Sequence, residues 1–461
     1  MGSKPAMSGR VPQRQIKAVA IACFIGTTIE WYDFFIYGTA ATLVFGKQFF
    51  PTFSPLAGTL AAFGTFSVGF IARPLGGVLM GNFGDRVGRK SMLIVSLLTM
   101  GIATTLVGVL PGFAAIGVAA PILLVLLRLA QGLGVGGEWG GAVLMSVEHA
   151  PQHKRSFYGM VPQLGIPAGI FLSNLVFVPL NVWLSPAAFQ AWGWRLAFLA
   201  SALLVIVGIV IRLRIEESPV FATIKSTGSR VVKLPIIEVF RQNPGRVALG
   251  SLFAIAPPTM GYLTSVYMLS YGTRVLHVPN ATMLWAIIAA SVVWFCATFV
   301  GGALGDRAGR KKIYMIGAAM CVVGVFPAFW LVEMRTFAAI FLGLFLLVIS
   351  GPVMGAPQPS ILASMFRSHI RYSGASVCYQ IGSVVGGGIG PILATSLFAA
   401  FHTSAAVALM VITIVGIGFF AMLATPQRVI RSGDEDDRQL VGDEEGGPAE
   451  SRPVETEPAT S

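Results

Sequence analysis

The sequence predicts an all-α polytopic membrane protein, with twelve transmembrane helices in two pseudo-symmetric six-helix bundles. Three observations predict it. The first is composition: of 461 residues, 55% are hydrophobic and 11% charged, where an ordinary soluble domain carries about 25% charged residues. Mean hydropathy is +0.76, and 54 glycines sit among apolar runs, where small residues let helices approach closely in lipid. The second is a count of twelve apolar runs, each near the roughly 20 residues that span a bilayer. The third is an internal repeat. GNFGDRVGRK (81–90) returns as GALGDRAGRK (302–311) with seven of ten positions identical. Gln163-Leu-Gly-Ile-Pro-Ala-Gly169 returns as Gln380-Ile-Gly-Ser-Val-Val-Gly386. The two offsets, 221 and 217, are nearly equal, so the chain reads as two parallel halves of six spans.

The elements follow in order. Residues 1–17 are polar, with no small-residue cleavage site after a short apolar core, and read as a cytoplasmic arm rather than a signal peptide. The first bundle (18–213) has spans near 18–42, 56–81, 91–110, 116–146, 157–180 and 194–213. A longer polar loop, 214–246, joins it to the second bundle (247–424). There the spans lie near 247–272, 281–305, 313–332, 337–364, 373–400 and 404–424. Residues 425–461 form an acidic tail, rich in proline and glycine, of the composition that stays disordered.

Charge gives the orientation. With the N-terminus inside, 26 of the 32 Lys and Arg fall in inner segments. The outer loops hold only Lys47, Arg274 and Arg335. This is the positive-inside bias, and it places both termini in the cytoplasm. Ten of the 20 acids lie in the last 28 residues, so residues 1–433 carry ten acids against 30 basic residues. That net +20 marks membrane topology, not nucleic-acid binding. The four cysteines lie in apolar runs without a CxxC, so neither a disulfide framework nor a metal site is expected. HExxH, GxSxG and Cys/His constellations are lacking, which argues against an enzyme. No cofactor is expected.

Charges within spans are functional candidates because lipid makes them costly. They are Glu30 and Asp33 in span 1, Arg73 in span 2, and Arg128 and Glu138 in span 4. All lie in the first half. The second half offers neutral groups: Tyr262, Tyr267, Gln358, Tyr379 and Gln380. Gly26, Glu30, Asp33 and Tyr37 follow helical spacing and are expected to line a central cavity together. Three acids against two arginines leave one acid that a proton can neutralise, the minimum for proton coupling. The expected proton-coupling set is Asp33, Glu30, Arg128 and Glu138. Arg73 is placed to hold a substrate carboxylate with its planar fork. Tyr37, Gln163, Gln358, Tyr379 and Gln380 are the expected neutral substrate contacts. The alternative for Glu30, Asp33 and Arg73 is mutual neutralisation that only sets helix packing. Arg128, Gly132, Gly136 and Gly140 form an i+4 row, expected to bring Arg128 against an acid of span 1.

Several motifs resemble a known family. GDRVGRK and GDRAGRK look like the two copies of the signature loop of the major facilitator superfamily. Arg128-Leu-Ala-Gln131-Gly132 is similar to its RxxQG motif. More narrowly, EWYDFFIYG (30–38), ARPLGG (72–77), GGEWGGA (136–142) and EESPVF (216–221) resemble the metabolite:proton symporter family. That family carries shikimate, α-ketoglutarate, or proline and betaine, and RYSGASVCYQIGSVVGGG (371–388) is most similar to its shikimate carriers. The resemblance covers roughly residues 18–425. It implies a gating role for Gly81, Asp85, Arg86, Gly88 and Arg89, and for Asp306, Arg307, Gly309 and Arg310, as latches that hold one access state. It also implies a substrate role for Arg73 and a proton-transfer role for Arg128.

The expected function is a proton-coupled symporter of the inner or plasma membrane. It imports a small organic acid or zwitterion by alternating access, working as a monomer in the bilayer without nucleic acid. The rival readings are an efflux antiporter and a non-transporting sensor on the same scaffold.

Overall fold

The computed structural model describes residues 13–87, 89–136, 138–148, 154–213, 235–367 and 370–430. Side chains are described over that range except at 13–19, 80–93, 144–145, 148, 211–213 and 235–237. Every element in it is helical. The principal helices are α1 (13–49), α2 (Pro55–Val87), α3 (Arg89–Val109), α4 (Ala119–Val135 continued by Glu138–Glu148), α5 (Arg155–Trp183) and α6 (Arg195–Leu213). After them come α7 (Pro244–Val275), α8 (Asn280–Ala308), α9 (Arg310–Glu333), α10 (Phe337–Ser364), α11 (Arg371–Phe401) and α12 (Ser404–Ala424).

Among the described residues, nine of these are long and apolar enough to cross a membrane. A tenth forms when α6 is joined to the short Pro186–Gly193 helix before it, across a 43° bend. The other two are α1, whose hydropathy Glu30 and Asp33 lower, and α3, whose described apolar stretch is Ile94–Val109.

Packing repeats between the halves. In the first bundle α1 runs along α5, α2 along α4, and α3 against α4 and α6. In the second, α7 runs along α11, α8 along α10, and α9 against α10 and α12. The bundles meet through α5 on α8 and α2 on α11, which are themselves equivalent pairs.

The repeated glycines explain the closeness. A Cβ on Gly165 or Gly169 of α5 would strike the backbone of α1 at Thr27 and Trp31. At the equivalent positions of α11, a Cβ on Gly382 or Gly386 would strike α7 at Ala254 and Ile255. The 217-residue echo is therefore a packing device used twice. Gly309, between α8 and α9, has φ +98°, a conformation that glycine adopts without Cβ strain.

Candidate transport site

The two bundles enclose a narrow cavity at their interface. Its walls come from α1 (Trp31, Phe35), α5 (Gln163, Ile166), α7 (Pro257, Gly261, Tyr262), α8 (Trp294, Thr298), α10 (Gly355, Gln358) and α11 (Tyr379). Both ends are shut. On one side the Asp306 carboxylate of α8 accepts from the backbone N–H groups of Ser156 and Phe157, both at 2.9 Å, at the start of α5. The Trp139 ring of α4 stacks flat on Tyr379 of α11, with centroids 3.6 Å apart. On the other side Arg274 of α7 donates through Nε and Nη2 to the carbonyl of Thr42 in α1. Asn280 and Asn181 meet there at 3.4 Å.

The charges lie beside this cavity, inside the first bundle. Arg73 approaches Glu30 at 3.6 Å. Its guanidinium lies 3.9 Å from the ring centre of Phe34, 4.6 Å from Phe70 and 5.3 Å from Trp31. Arg128 lies 3.9 Å from the Tyr37 ring centre and 4.7 Å from that of Phe34. The Phe34 ring thus borders both guanidiniums, and cation–π attraction holds two like charges in a site that hydration does not reach. Arg128 Nη1 donates to Gln131 Oε1 at 2.9 Å, and Nη2 to the Phe66 carbonyl at 3.3 Å. Asp33 points elsewhere, accepting from Ser201 of α6 at 2.7 Å and Thr104 of α3 at 2.9 Å.

Comparison with known proteins agrees with this architecture. A family model described as sugar (and other) transporter matches residues 18–230, and one described as Major Facilitator Superfamily matches 274–454. The chain is 39% identical over 416 residues to the inner membrane metabolite transport protein YhjE of Escherichia coli (strain K12), covering 88% of this chain and 93% of that one. It is 39% identical over 396 residues to the shikimate transporter of the same strain, covering 85% and 90%.

The chain belongs to the major facilitator superfamily.

A proline/betaine transporter of E. coli K12 is 33% identical over 413 residues, covering 87% of this chain and 82% of that one. The fold also matches a crystal structure of a D-xylose-proton symporter, with TM-score 0.69 at 18% identity over 88% of this chain and 96% of that one. The protein is thus a multi-pass membrane transporter of a small molecule and not an enzyme.

In this transporter the site residues named from sequence separate into groups. Gln163, Gln358 and Tyr379 line the cavity. Gln163 and Gln380, equivalent in the repeat, also make equivalent ties between bundles. Gln163 Nε2 of α5 donates to the Gly355 carbonyl of α10 at 3.4 Å, and Gln380 Nε2 of α11 to the Gly136 carbonyl of α4 at 3.2 Å.

Three expectations are corrected. Glu30, Asp33 and Tyr37 do not line the cavity; they turn into their own bundle, Tyr37 donating to Thr65 of α2 at 2.7 Å. Trp31 and Phe35 form the cavity face of α1 instead, because charged and hydroxylated groups find partners among α2, α3 and α6. The glycine row of α4 does not pack on α1: a Cβ on Gly132 or Gly136 would strike the α2 backbone at Gly69 or Arg73, and one on Gly140 would strike Ser376 of α11. Arg128 accordingly meets Asp33 only through Gln131 and Thr104. Glu138 faces α3, where Ser96 donates to it at 3.5 Å.

Of the gating set, Asp306 ties the bundles together, and Arg310 donates to Ser364 at 2.9 Å. Arg307 is exposed. Gly88 and the side chains of Asp85, Arg86 and Arg89 lie outside the described residues, as do Gly81's surroundings.

Sequence reasoning passed over Thr104, Ser201 and Arg274. Hydroxyls within apolar runs carry no distinguishing pattern: Thr105, beside Thr104, bonds only the Gly101 carbonyl of its own helix.

Proposed function

We propose that this protein is a proton-coupled symporter that imports a small organic acid or zwitterion by alternating access. One observation carries the reading: the buried charges occupy two separate settings. Arg73 sits against the aromatic wall of the cavity. It is paired with Glu30 at a loose 3.6 Å, and its Nε and Nη2 lack a hydrogen-bond partner among the described residues. A substrate carboxylate fits that fork bidentately. Asp33 is apart from it, fully buried and held by hydroxyls instead of a cation. An acid so placed gains and loses a proton without disturbing the Arg73 pair. Arg73 is therefore assigned to the substrate and Asp33 to the proton. Arg128, Glu30 and Glu138 set the field around them, and Gln163, Gln358 and Tyr379 offer neutral contacts.

The relatives named for shikimate and for proline and betaine support a substrate bearing a carboxylate. The charge bias of the loops supports cytoplasmic termini, and the inner-membrane relative supports that membrane. The arm, two bundles, central loop and tail are retained as the domain plan, and a monomer suffices for the cavity. The GDRxGRK loops and Asp306 act as latches on the cytoplasmic face.

The test is uptake of labelled shikimate, α-ketoglutarate, proline and betaine into proteoliposomes under an imposed inward proton gradient. Accumulation of one of them that collapses with an uncoupler is expected. Accumulation that follows sodium and ignores the proton gradient overturns the coupling assignment.

A further inference from the structure

The Asp33 carboxylate is fully buried, and each of its oxygens accepts from one hydroxyl. Ser201 Oγ donates to Oδ1 at 2.7 Å and Thr104 Oγ1 to Oδ2 at 2.9 Å. Thr104 differs from Ser201 in having a second acceptor in reach, the Met100 carbonyl of its own helix, also at 2.9 Å. It has a single hydrogen to give and two lone pairs to accept with. One lone pair is occupied, since Gln131 Nε2 donates to Thr104 Oγ1 at 2.5 Å. Gln131 Oε1 in turn accepts from Arg128.

We propose that Thr104 is a hydroxyl switch that satisfies Asp33 in both its ionised and its protonated form, making it a positioning residue for proton coupling. The proposal rests on the reading of Asp33 as the proton carrier.

With Asp33 ionised, the Thr104 hydrogen points to Oδ2 and the oxygen accepts from Gln131. With a proton on Oδ2, that new O–H donates to the second lone pair of Thr104 Oγ1. The Thr104 hydrogen stays bonded to its own oxygen and turns to Met100 O. No heavy atom moves, and no donor is stranded in either setting. Because Gln131 donates to Thr104 in both, the tie to Arg128 persists while Asp33 changes charge. A valine here removes the donor that the carboxylate needs and the acceptor that the carboxylic acid needs.

Few other groups compete for the role. On α1 itself the titratable neighbours are Glu30, paired with Arg73 of α2; Tyr32, which donates to the Ala197 carbonyl; and Tyr37, bonded to Thr65. Arg128 of α4 is the cation whose field reaches Asp33. The stretches of α3, α5 and α6 at 94–109, 161–183 and 196–210 contain no titratable side chain.

The experiment is infrared spectroscopy of the full-length protein in lipid across a pH titration, which needs no substrate. The protonated-carboxyl stretch of Asp33 is assigned by its loss in Asp33→Asn. In Thr104→Val, and equally in Thr104→Ala, that band should move to higher frequency because the acid has lost its acceptor. In Thr104→Ser, which keeps the hydroxyl, it should stay at the wild-type position. An Asp33 band present in the wild type and unmoved by loss of the hydroxyl overturns the switch. A wild-type protein with no Asp33 band at any pH instead overturns Asp33 as proton carrier, so the two failures are distinct.

Discussion

Phe34 shows what a single side chain does in this transporter. Placed between Arg73 and Arg128, at 3.9 and 4.7 Å from its ring centre, it offers a face to two cations that water cannot reach. Arg73 is held by stacking on one side and by Glu30 on the other, so its planar shape matters as well as its charge. Arg73→Lys should therefore fail almost as badly as Arg73→Ala, because an ammonium reproduces neither the stack nor the bidentate fork. Loss of one charge-assisted contact, about 1.5–3 kcal/mol, should weaken substrate binding by roughly one to two orders of magnitude in calorimetric titration. A lysine variant that binds like wild type would remove Arg73 from the substrate. Asp33→Asn should behave differently. The asparagine still accepts from Ser201, and Thr104 can turn its hydrogen to Met100, so the fold survives with the site fixed in a neutral form. Counterflow exchange should continue, while accumulation driven by a proton gradient should vanish. A variant that still concentrates substrate would move the proton to Glu30.

At the scale of helices, spacing decides how the charges meet. α2 and α4 touch backbone to backbone through Gly69, Gly76, Gly132 and Gly136, and this contact sets Arg128 against Phe66 and Phe34. Gly132→Ala places a methyl on the Gly69 carbonyl, so the two helices must part. Overpacking of this kind costs about 1–3 kcal/mol, and the melting temperature in detergent should drop. Gly416→Ala in α12 is the control, since nothing lies within 4 Å of its added Cβ. There the melting temperature should hold or rise, because alanine favours a helix over glycine by about 1 kcal/mol. Equal effects at the two sites would refute close packing as the function of the α4 row.

The whole molecule is balanced by ties at opposite ends of one cavity. Asp306 joins the bundles at one end through the start of α5, and Arg274 joins them at the other through Thr42. Neither touches the cavity, so each acts only on the populations of access states. Asp306→Ala should favour the state open at the Asp306 end, and Arg274→Ala the state open at the other. A tie of about 1.5–3 kcal/mol corresponds to a shift of tenfold or more. Spin-label distances across each end should lengthen in opposite variants. A shift in the same direction for both would show that they are general stabilisers and not latches.

Sequence alone determined the helical membrane fold, the two-fold repeat and the identity of the buried charges. Lipid forces these into the open: a span must be apolar over a fixed length, and an ionised group inside it stands out against that background. Polar groups in such runs stand out in the same way, and Gln163, Gln358 and Tyr379, read from sequence as candidates, line the cavity. What only tertiary structure decided is which way each group turns. Helical spacing puts Glu30, Asp33 and Tyr37 on one side of α1, but it cannot say whether that side meets the cavity or the neighbouring helices. The answer depends on partners distant in the chain: Thr65, Thr104 and Ser201, ordinary hydroxyls in apolar runs. A hydroxyl becomes a ligand of a buried charge only when packing brings it within about 3 Å. Packing here is set by glycines whose role appears only once the opposing backbone is in place.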